Sequence, residues 1–296
     1  MKLFRGCAPA LVTPMKDDYS VDYESFEKLV QKCVDEGVPA IIVNGTTAEA
    51  STLSIEEEHN LIKQAKKICG DKCKVIAGTG SNDTLYAIEQ SLAVEKLGVD
   101  ALLIVTPYYN KTSQRGLLKH YTMLGDAVST PIILYNVPSR TGLNISVDVI
   151  VELAKHQNII ALKDATGDIS YTMEVLSKTK GLDFAVYSGN DDIILPMVMA
   201  GCDGVISVIG NVYPGQTQKL CQLGFDGKIK EAQELAYAMD NLNDQLFSDV
   251  NPICAKAALE KQGICKGVLR MPLVETTNEN KEKLYQAMDD FEKMGY

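Results

Sequence analysis

The chain has 296 residues, of which 46% are hydrophobic and 23% charged, and this ordinary balance excludes a disordered or collagen-like protein. The net charge of −10 leaves little attraction for nucleic acid, because phosphate binding depends on Lys and Arg. Neither an apolar run of about 18 residues nor a signal-peptide pattern is present. We therefore expect a cytoplasmic protein that binds neither nucleic acid nor membrane.

Eight short apolar segments recur at intervals that fit strand–helix units, and they predict eight parallel strands. Several of them, such as residues 41–43 and 132–134, are apolar on consecutive positions, which indicates that helices cover the sheet and bury both faces. In chain order the predicted strands are residues 7–13, 39–44, 74–78, 101–106, 131–136, 159–163, 184–188 and 204–208.

The segments between these strands carry helix signals. Ser54 and Glu57 form a capping box before an apolar stripe of helical period, and Gly37 and Gly70 each follow such a stripe. After the eighth strand, helical patterns at residues 228–246, 253–261 and 279–294 predict an addition that packs on the barrel or on another subunit.

The alternation of eight strands and helices, without a Gly-rich dinucleotide loop after the first strand, favours a closed barrel over an open sheet. We predict an α/β protein with a (β/α)8 TIM barrel and a C-terminal helical extension. The catalytic barrel is expected over residues 1–225 and the extension over residues 226–296.

Polar residues gather at the carboxyl ends of the predicted strands, where barrels of this kind place their active sites. Lys163 is the most informative of them, because it ends an apolar strand and should point into the barrel. A buried amine of this kind is suited to form a Schiff base with a carbonyl substrate. The structural alternative is a lysine that pairs with Asp164, or one whose ammonium extends to the rim.

Two hydroxyls and an arginine belong to the same predicted mouth. Tyr135 and Thr47 can relay protons while an imine forms and converts to an enamine. Arg140 lies in a loop and can bind a substrate carboxylate through two parallel hydrogen bonds. The plainer alternatives are a core tyrosine ring and a solvated loop arginine.

Metal catalysis is the rival class of mechanism. The only histidines are His59, His120 and His156; none of them ends a predicted strand, and no H-E-x-x-H pattern is present. Cys69 and Cys73 are the only closely spaced cysteines, and they lack a second ligand pair. We therefore predict neither a metal nor a cofactor, and we expect the eight cysteines to be buried reduced thiols.

Five motifs occur in an order that is specific in combination: residues 45–47 (GTT), 107–110 (PYYN), 135–142 (YNVPSRTG), 163–167 (KDATG) and 204–208 (GVISV). On these motifs the chain resembles, over essentially its whole length, the pyruvate-dependent class I aldolase family. That family includes dihydrodipicolinate synthases and N-acetylneuraminate lyases.

The resemblance implies Lys163 as the Schiff-base lysine, so that the imine with pyruvate replaces any cofactor. It implies a proton relay of Tyr135, Thr47 and Tyr109, in which the tyrosine matching Tyr109 comes from a neighbouring subunit. The usual assembly implied is a homotetramer of tight dimers.

The same resemblance implies substrates and the residues that bind them. Thr46 and Thr47 would hold the pyruvate carboxylate, Arg140 would meet the carboxylate of an aldehyde substrate, and Gly189 and Ile206 would line the site through their backbone. Pyruvate and L-aspartate 4-semialdehyde are then the substrates, and their condensation to 4-hydroxy-tetrahydrodipicolinate serves lysine and diaminopimelate biosynthesis.

Two other functions remain open at this point. Sialic-acid lyases typically lack the arginine that matches Arg140 and have Ser where this chain has Thr46, but a lyase for N-acetylneuraminate or another 2-keto acid adduct shares the pyruvate chemistry. A non-catalytic ligand-binding relative would be expected to lose the lysine or its hydroxyl partners, and here all are present.

The chain departs from the family at positions with physical consequences. Ala48 stands where the synthases typically have Gly, which would cost about 1 kcal/mol if the backbone there had a positive φ. Many relatives are inhibited by lysine bound near the tyrosine that matches Tyr108. This chain keeps Asn82 but has Ile55 and Tyr86 in place of the effector-binding His and Glu, so we predict insensitivity to lysine.

Overall fold

The computed structural model describes residues 2–296 and confirms the predicted TIM barrel. The strands pair in parallel in the order β1-β8-β7-β6-β5-β4-β3-β2, and a bridge between Ala10 and Ile42 joins the two ends of this series. The strands are β1 (Gly6–Pro9), β2 (Ala40–Val43), β3 (Lys74–Gly78), β4 (Ala101–Val105), β5 (Ile132–Asn136), β6 (Ile159–Asp164), β7 (Ala185–Ser188) and β8 (Gly204–Ser207).

The first strand is shorter than the sequence predicts. Residues 11–13 are buried, as a strand would be, but β1 ends at Pro9. The reason is the bonding of the backbone: the Val12 amide donates to the side chain of Asn211 at 3.0 Å instead of to a neighbouring strand. The prediction of a strand over residues 7–13 is therefore wrong at its carboxyl end.

Twelve helices follow or connect the strands within residues 2–296, and the predicted capping box of Ser54 and Glu57 is confirmed at the start of α2. The barrel helices are α1 (Tyr23–Asp35), α2 (Ile55–Cys69), α3 (Thr84–Glu95), α4 (Gln114–Ala127), α5 (Pro138–Thr141), α6 (Val147–Leu153), α7 (Ile169–Lys178), α8 (Ile194–Ala200) and α9 (Pro214–Phe225). Then come α10 (Ile229–Leu246), α11 (Ile253–Lys261) and α12 (Asn278–Lys293).

The apolar side chains form two buried layers. The larger lies between the strands and the surrounding helices, and the smaller fills the barrel interior. Small residues such as Ala8, Ala40 and Ala161 contribute to the inner layer, together with Ile42 and Tyr187. This inner layer forms a packed floor beneath the mouth of the barrel.

None of the helices in residues 2–296 combines the length and the apolar character that a membrane crossing requires.

The C-terminal extension packs on its own barrel, one of the two arrangements that the sequence predicts. Lys256 of α11 forms a fully buried ion pair with Glu49, which follows β2. Arg270, beyond α11, donates from two guanidinium nitrogens to Glu57 of α2. The hydrogen bond from Arg270 lowers the pKa of Glu57 to about 2. The boundary between residues 225 and 226 stays a prediction.

Candidate active site

Lys163 occupies the position that the sequence predicts, inside the barrel near the carboxyl end of β6. It is only 6% exposed, and in the parallel register it lies between Tyr135 of β5 and Tyr187 of β7. Its Nζ is 4.3 Å from the centroid of the Tyr135 ring. Lys163 forms no ion pair with any carboxylate of residues 2–296.

Lys163 does not form the ion pair with Asp164 that the sequence leaves as an alternative. The Asp164 carboxylate accepts from the Thr172 hydroxyl at 2.6 Å and from the Thr166 amide at 3.0 Å. Lys163 and Asp164 are consecutive on β6, so their side chains point to opposite faces of the sheet, and the Lys163 amine lies against the Tyr135 ring. An unpaired buried amine is the condition that imine chemistry needs.

The two tyrosines beside Lys163 differ in what their hydroxyls do. The Tyr187 hydroxyl donates to the Phe4 carbonyl at 2.9 Å, and its ring stacks on Phe4 with centroids 4.1 Å apart. Tyr135 lines a cavity of about 430 Å³ at the barrel mouth. Its hydroxyl has no hydrogen-bond partner among residues 2–296. Only Tyr135 therefore offers a free hydroxyl next to the lysine.

The loop after β2 places Thr46 and Thr47 on a 3-10 turn, Thr46–Ala48. Thr46 is exposed and lines the cavity, whereas Thr47 is 3% exposed and its Oγ1 accepts from Asn251 Nδ2 at 2.9 Å. The left-handed residues of this loop are Asn44, with φ 57°, and Glu49, with φ 56°, and Ala48 has no positive φ. The backbone cost considered for Ala48 therefore does not arise.

Arg140, Gly189 and Ile206 come from three further strand ends. Arg140 is exposed on α5, and its Nη2 donates to the Asn251 carbonyl at 3.2 Å. Ile206 is fully buried on β8. At Gly189 a Cβ would lie 2.6 Å from the Cβ of Ala165, so only glycine allows the close approach of this loop to the end of β6.

Tyr109 is not brought to the other relay residues within one chain. Its backbone is left-handed, with φ 67°, and its side chain is 92% exposed. A tyrosine held this far out in solvent is suited to contact another copy of the chain, because its ring offers large apolar area at a low entropic cost. Its part in the relay stays a prediction.

Three side chains near the site were not singled out from the sequence: Asp191, Glu58 and Asn251. The Asp191 carboxylate accepts from the amides of Val208 and Ile209 at 2.8 and 2.9 Å, which fixes the chain directly after β8. Burial raises the pKa of Asp191, and the positive charge of Lys163 is among the smaller opposing effects. Asn251 is 204 residues from Thr47, so no local motif indicates their contact.

The cavity at the mouth also contains the residues of the expected effector pocket. Ile55, Tyr86 and Tyr108 all line it, and Asn82 donates to the Tyr108 carbonyl at 3.2 Å. Glu58 is a further wall residue, and burial raises its pKa to about 7. The pocket therefore has a carboxyl group, but one that is partly neutral near pH 7.

The histidines and cysteines are dispersed in the fold. His120 is buried, with Thr84 on its Nδ1 at 2.9 Å, and burial lowers the pKa of His120 to about 4. All eight cysteines are free and buried, as the sequence predicts. No three His, Cys, Asp or Glu side chains in the described part of the chain, residues 2–296, are grouped closely enough to hold a metal ion.

Comparisons with known proteins match nearly the full length of the chain. The model of the dihydrodipicolinate synthetase family matches residues 3–290. A 4-hydroxy-tetrahydrodipicolinate synthase of Fervidobacterium nodosum is 46% identical over 97% of this chain and 98% of its own length.

Two solved structures have nearly the same fold. The dihydrodipicolinate synthase of Acinetobacter baumannii complexed with pyruvate has a TM-score of 0.95 and 41% identity, and the match covers 98% of this chain and 99% of that one. The enzyme of Cyanidioschyzon merolae with lysine bound has a TM-score of 0.95 and 38% identity, covering 99% of both chains. Sequence and fold together show that this chain belongs to the dihydrodipicolinate synthetase family.

Proposed function

We propose that this protein condenses pyruvate with L-aspartate 4-semialdehyde to form 4-hydroxy-tetrahydrodipicolinate, the reaction that gives its close relatives their name. The observation that carries the proposal is Lys163: it is a buried amine without a salt-bridge partner among residues 2–296, and it lies against the ring of Tyr135, which lines the cavity at the barrel mouth. The pyruvate complex of the Acinetobacter baumannii enzyme supports pyruvate as the first substrate.

The Lys163 amine attacks the keto carbon of pyruvate, and the carbonyl oxygen leaves as water after it takes up two protons. The resulting imine loses a proton from the methyl carbon to give an enamine, which attacks the aldehyde carbon of the second substrate. The amino group of the second substrate then attacks the imine carbon, which closes the ring, breaks the bond to Lys163 Nζ and releases the lysine as the free amine. Each step moves a proton next to Nζ, and the Tyr135 hydroxyl, on a ring that lies beside that atom, is suited to relay it. Thr47 and a Tyr109 supplied by a neighbouring copy complete the proposed relay. The imine itself is the electron sink, so the proposal needs no cofactor.

Binding of the substrates follows from the groups at the mouth. Thr46 and Thr47 lie at a turn with backbone amides and hydroxyls suited to the pyruvate carboxylate. Gly189 and Ile206 line the site through backbone groups at the ends of β7 and β8. Arg140 is exposed at the rim and suits the carboxylate of the aldehyde substrate.

An assay with alternative substrates tests the proposed reaction. The purified protein is incubated with pyruvate and L-aspartate 4-semialdehyde, and separately with N-acetylneuraminate, with product formation followed in both cases. We expect turnover only with the first pair, because Arg140 meets a carboxylate close to the reacting aldehyde. Cleavage of N-acetylneuraminate at a comparable kcat/KM would show that the protein is a sialic-acid lyase instead.

Replacement of Arg140 by Ala is expected to affect the second substrate alone. The loss of a charge-assisted hydrogen bond costs about 1.5 to 3 kcal/mol, so kcat/KM for the aldehyde should fall by roughly 10- to 150-fold. The rate of imine formation with pyruvate should stay within about twofold of the wild type. An equal loss in both steps would mean that Arg140 supports the loop or binds pyruvate.

The assembly and location follow the family pattern. We propose a cytoplasmic homotetramer of tight dimers, and the outward position of Tyr109 supports a close contact between two copies. Sedimentation of the wild type and a Tyr109→Ser variant would measure both the assembly and the contribution of this residue.

Lysine at millimolar concentration is expected to leave the enzyme active. The pocket offers Ile55 and Tyr86, neither of which supplies a charged partner to the effector. The Glu58 carboxyl has a pKa of about 7 and is therefore only partly ionised at neutral pH. Initial rates titrated with L-lysine at saturating pyruvate check this, and the titration should be repeated at pH 8.5. Saturable, near-complete inhibition at submillimolar lysine would show that Glu58 or another group replaces the missing partners.

A further inference from the structure

A contact between the C-terminal extension and the barrel mouth joins two parts of the proposed site. Asn251 lies between α10 and α11 and is 8% exposed. Its Nδ2 donates to Thr47 Oγ1 at 2.9 Å, and its backbone carbonyl accepts from Arg140 Nη2 at 3.2 Å. The proposed relay hydroxyl and the proposed carboxylate-binding arginine therefore meet at one asparagine.

The hydrogen bond between the Asn251 amide and the Thr47 hydroxyl can have only one donor. An amide nitrogen can only donate, so the Thr47 oxygen is the acceptor, and the single hydroxyl hydrogen of Thr47 remains free for another partner. The other side-chain atom of Asn251, Oδ1, is buried and has no hydrogen-bond partner among residues 2–296. The Asn251 side chain is therefore held in place by the hydrogen bond that its Nδ2 donates to Thr47.

The segment that carries Asn251 is fixed relative to the Thr47 loop. Lys256 of α11 forms the fully buried ion pair with Glu49, two residues after Thr47, and it also donates to the Val268 carbonyl at 2.7 Å. The second Glu49 oxygen accepts from the Arg270 amide at 2.8 Å. Side chains supported in this way hold a site to within a fraction of an ångström.

We propose that Asn251 is a positioning residue: its amide donates to the Thr47 oxygen and so leaves the Thr47 hydroxyl hydrogen available to the relay proposed with Tyr135. Its amide also stabilises the negative charge that develops on the Thr47 oxygen when the proton moves to Tyr135 and returns. The inference rests on the proposed function, because it assigns a partner to the relay. The contact with Arg140 involves only the Asn251 backbone, so side-chain variants test the relay separately.

The test compares Asn251→Ala and Asn251→Asp in the rate of imine formation with pyruvate alone, trapped by borohydride at timed intervals. Loss of one hydrogen bond in Asn251→Ala should slow the step roughly tenfold. An ionised Asp can only accept and would draw the Thr47 hydrogen away, so Asn251→Asp should be slowed roughly 100-fold at pH 8.5. The defect should persist as the pH falls to 5.5, because an Asp with a pKa of about 3.9 stays ionised there and the nearby Arg140 favours its charged form. The charged groups around position 251 are Arg140 and the Glu49–Lys256 pair.

Two comparisons separate positioning from stability. In a protein that already carries Thr47→Val, Asn251→Ala should cause no further slowing, because the hydroxyl that Asn251 positions is absent. This double-mutant cycle remains informative even if Asn251→Asp does not fold. Asn158→Asp is the matched control: Asn158 donates to the Val128 and Thr130 carbonyls at the opposite end of β6. It should lower Tm without changing the pH dependence of trapping.

The outcomes distinguish this inference from the proposed function itself. Wild-type trapping rates in both Asn251 variants, or additive losses on the Thr47→Val background, would overturn the role of Asn251 while imine chemistry stands. Absence of any trapped adduct on wild-type Lys163 would overturn the proposed function.

Discussion

Replacement of Lys163 by Arg should abolish turnover, with a loss of roughly 10³-fold or more, the scale that follows removal of a covalent nucleophile. Arginine keeps the positive charge and much of the length of the side chain, but its guanidinium does not form an imine with pyruvate. The expected loss therefore reflects chemistry more than folding. Borohydride reduction of the wild type with pyruvate should yield a covalent adduct on the peptide that contains Lys163, as measured by mass spectrometry.

The matched control for this experiment is a lysine outside the barrel mouth. Lys32 on α1 is half-buried and donates to the Val212 carbonyl and to Gln262. Lys32→Ala should lower Tm yet still give the adduct on Lys163. An adduct on another lysine, or an active enzyme without an adduct, would exclude Lys163 as the Schiff-base residue.

The second large effect is expected at Tyr135. Phe at this position keeps the ring that lies 4.3 Å from Lys163 Nζ and removes only the hydroxyl. General acid–base groups contribute about 10²- to 10⁴-fold, so kcat should fall by that amount. Borohydride trapping of the imine should be slowed to a similar extent, because the adduct of Lys163 and pyruvate loses water only after its hydroxyl is protonated.

Tyr187 is a suitable control because it lies next to Lys163 on β7, on the other side of β6 from Tyr135. Its hydroxyl already donates to the Phe4 carbonyl, so Tyr187→Phe should cost about 1 kcal/mol of unfolding free energy and leave the trapping rate nearly unchanged. Urea unfolding and timed borohydride trapping on both variants measure this contrast. Similar trapping defects in the two variants would show that ring packing, and not the Tyr135 hydroxyl, governs the step.

The sequence by itself determined the architecture and the position of the lysine. Eight apolar segments of strand length alternate with amphipathic ones, and burial on both faces leaves few architectures other than a closed parallel barrel. Lys163 directly follows four apolar residues, so its burial in the barrel was evident from local pattern alone. Local hydrogen bonding, as at the Ser54–Glu57 capping box, was predictable for the same reason: its partners are three residues apart.

Only the tertiary structure shows which partners the polar side chains near Lys163 have. Both strand neighbours of Lys163 carry a tyrosine, and the Phe4 carbonyl, far away along the chain, leaves Tyr135 as the one with a free hydroxyl. The contact between Asn251 and Thr47 joins a residue of the C-terminal extension to the loop after β2, and no periodicity encodes it. The end of β1 was likewise mispredicted because the Val12 amide bonds to the distant Asn211. Hydrophobic pattern reports the burial of a segment, whereas the partner of each polar group depends on which distant segments the fold brings within about 3 Å.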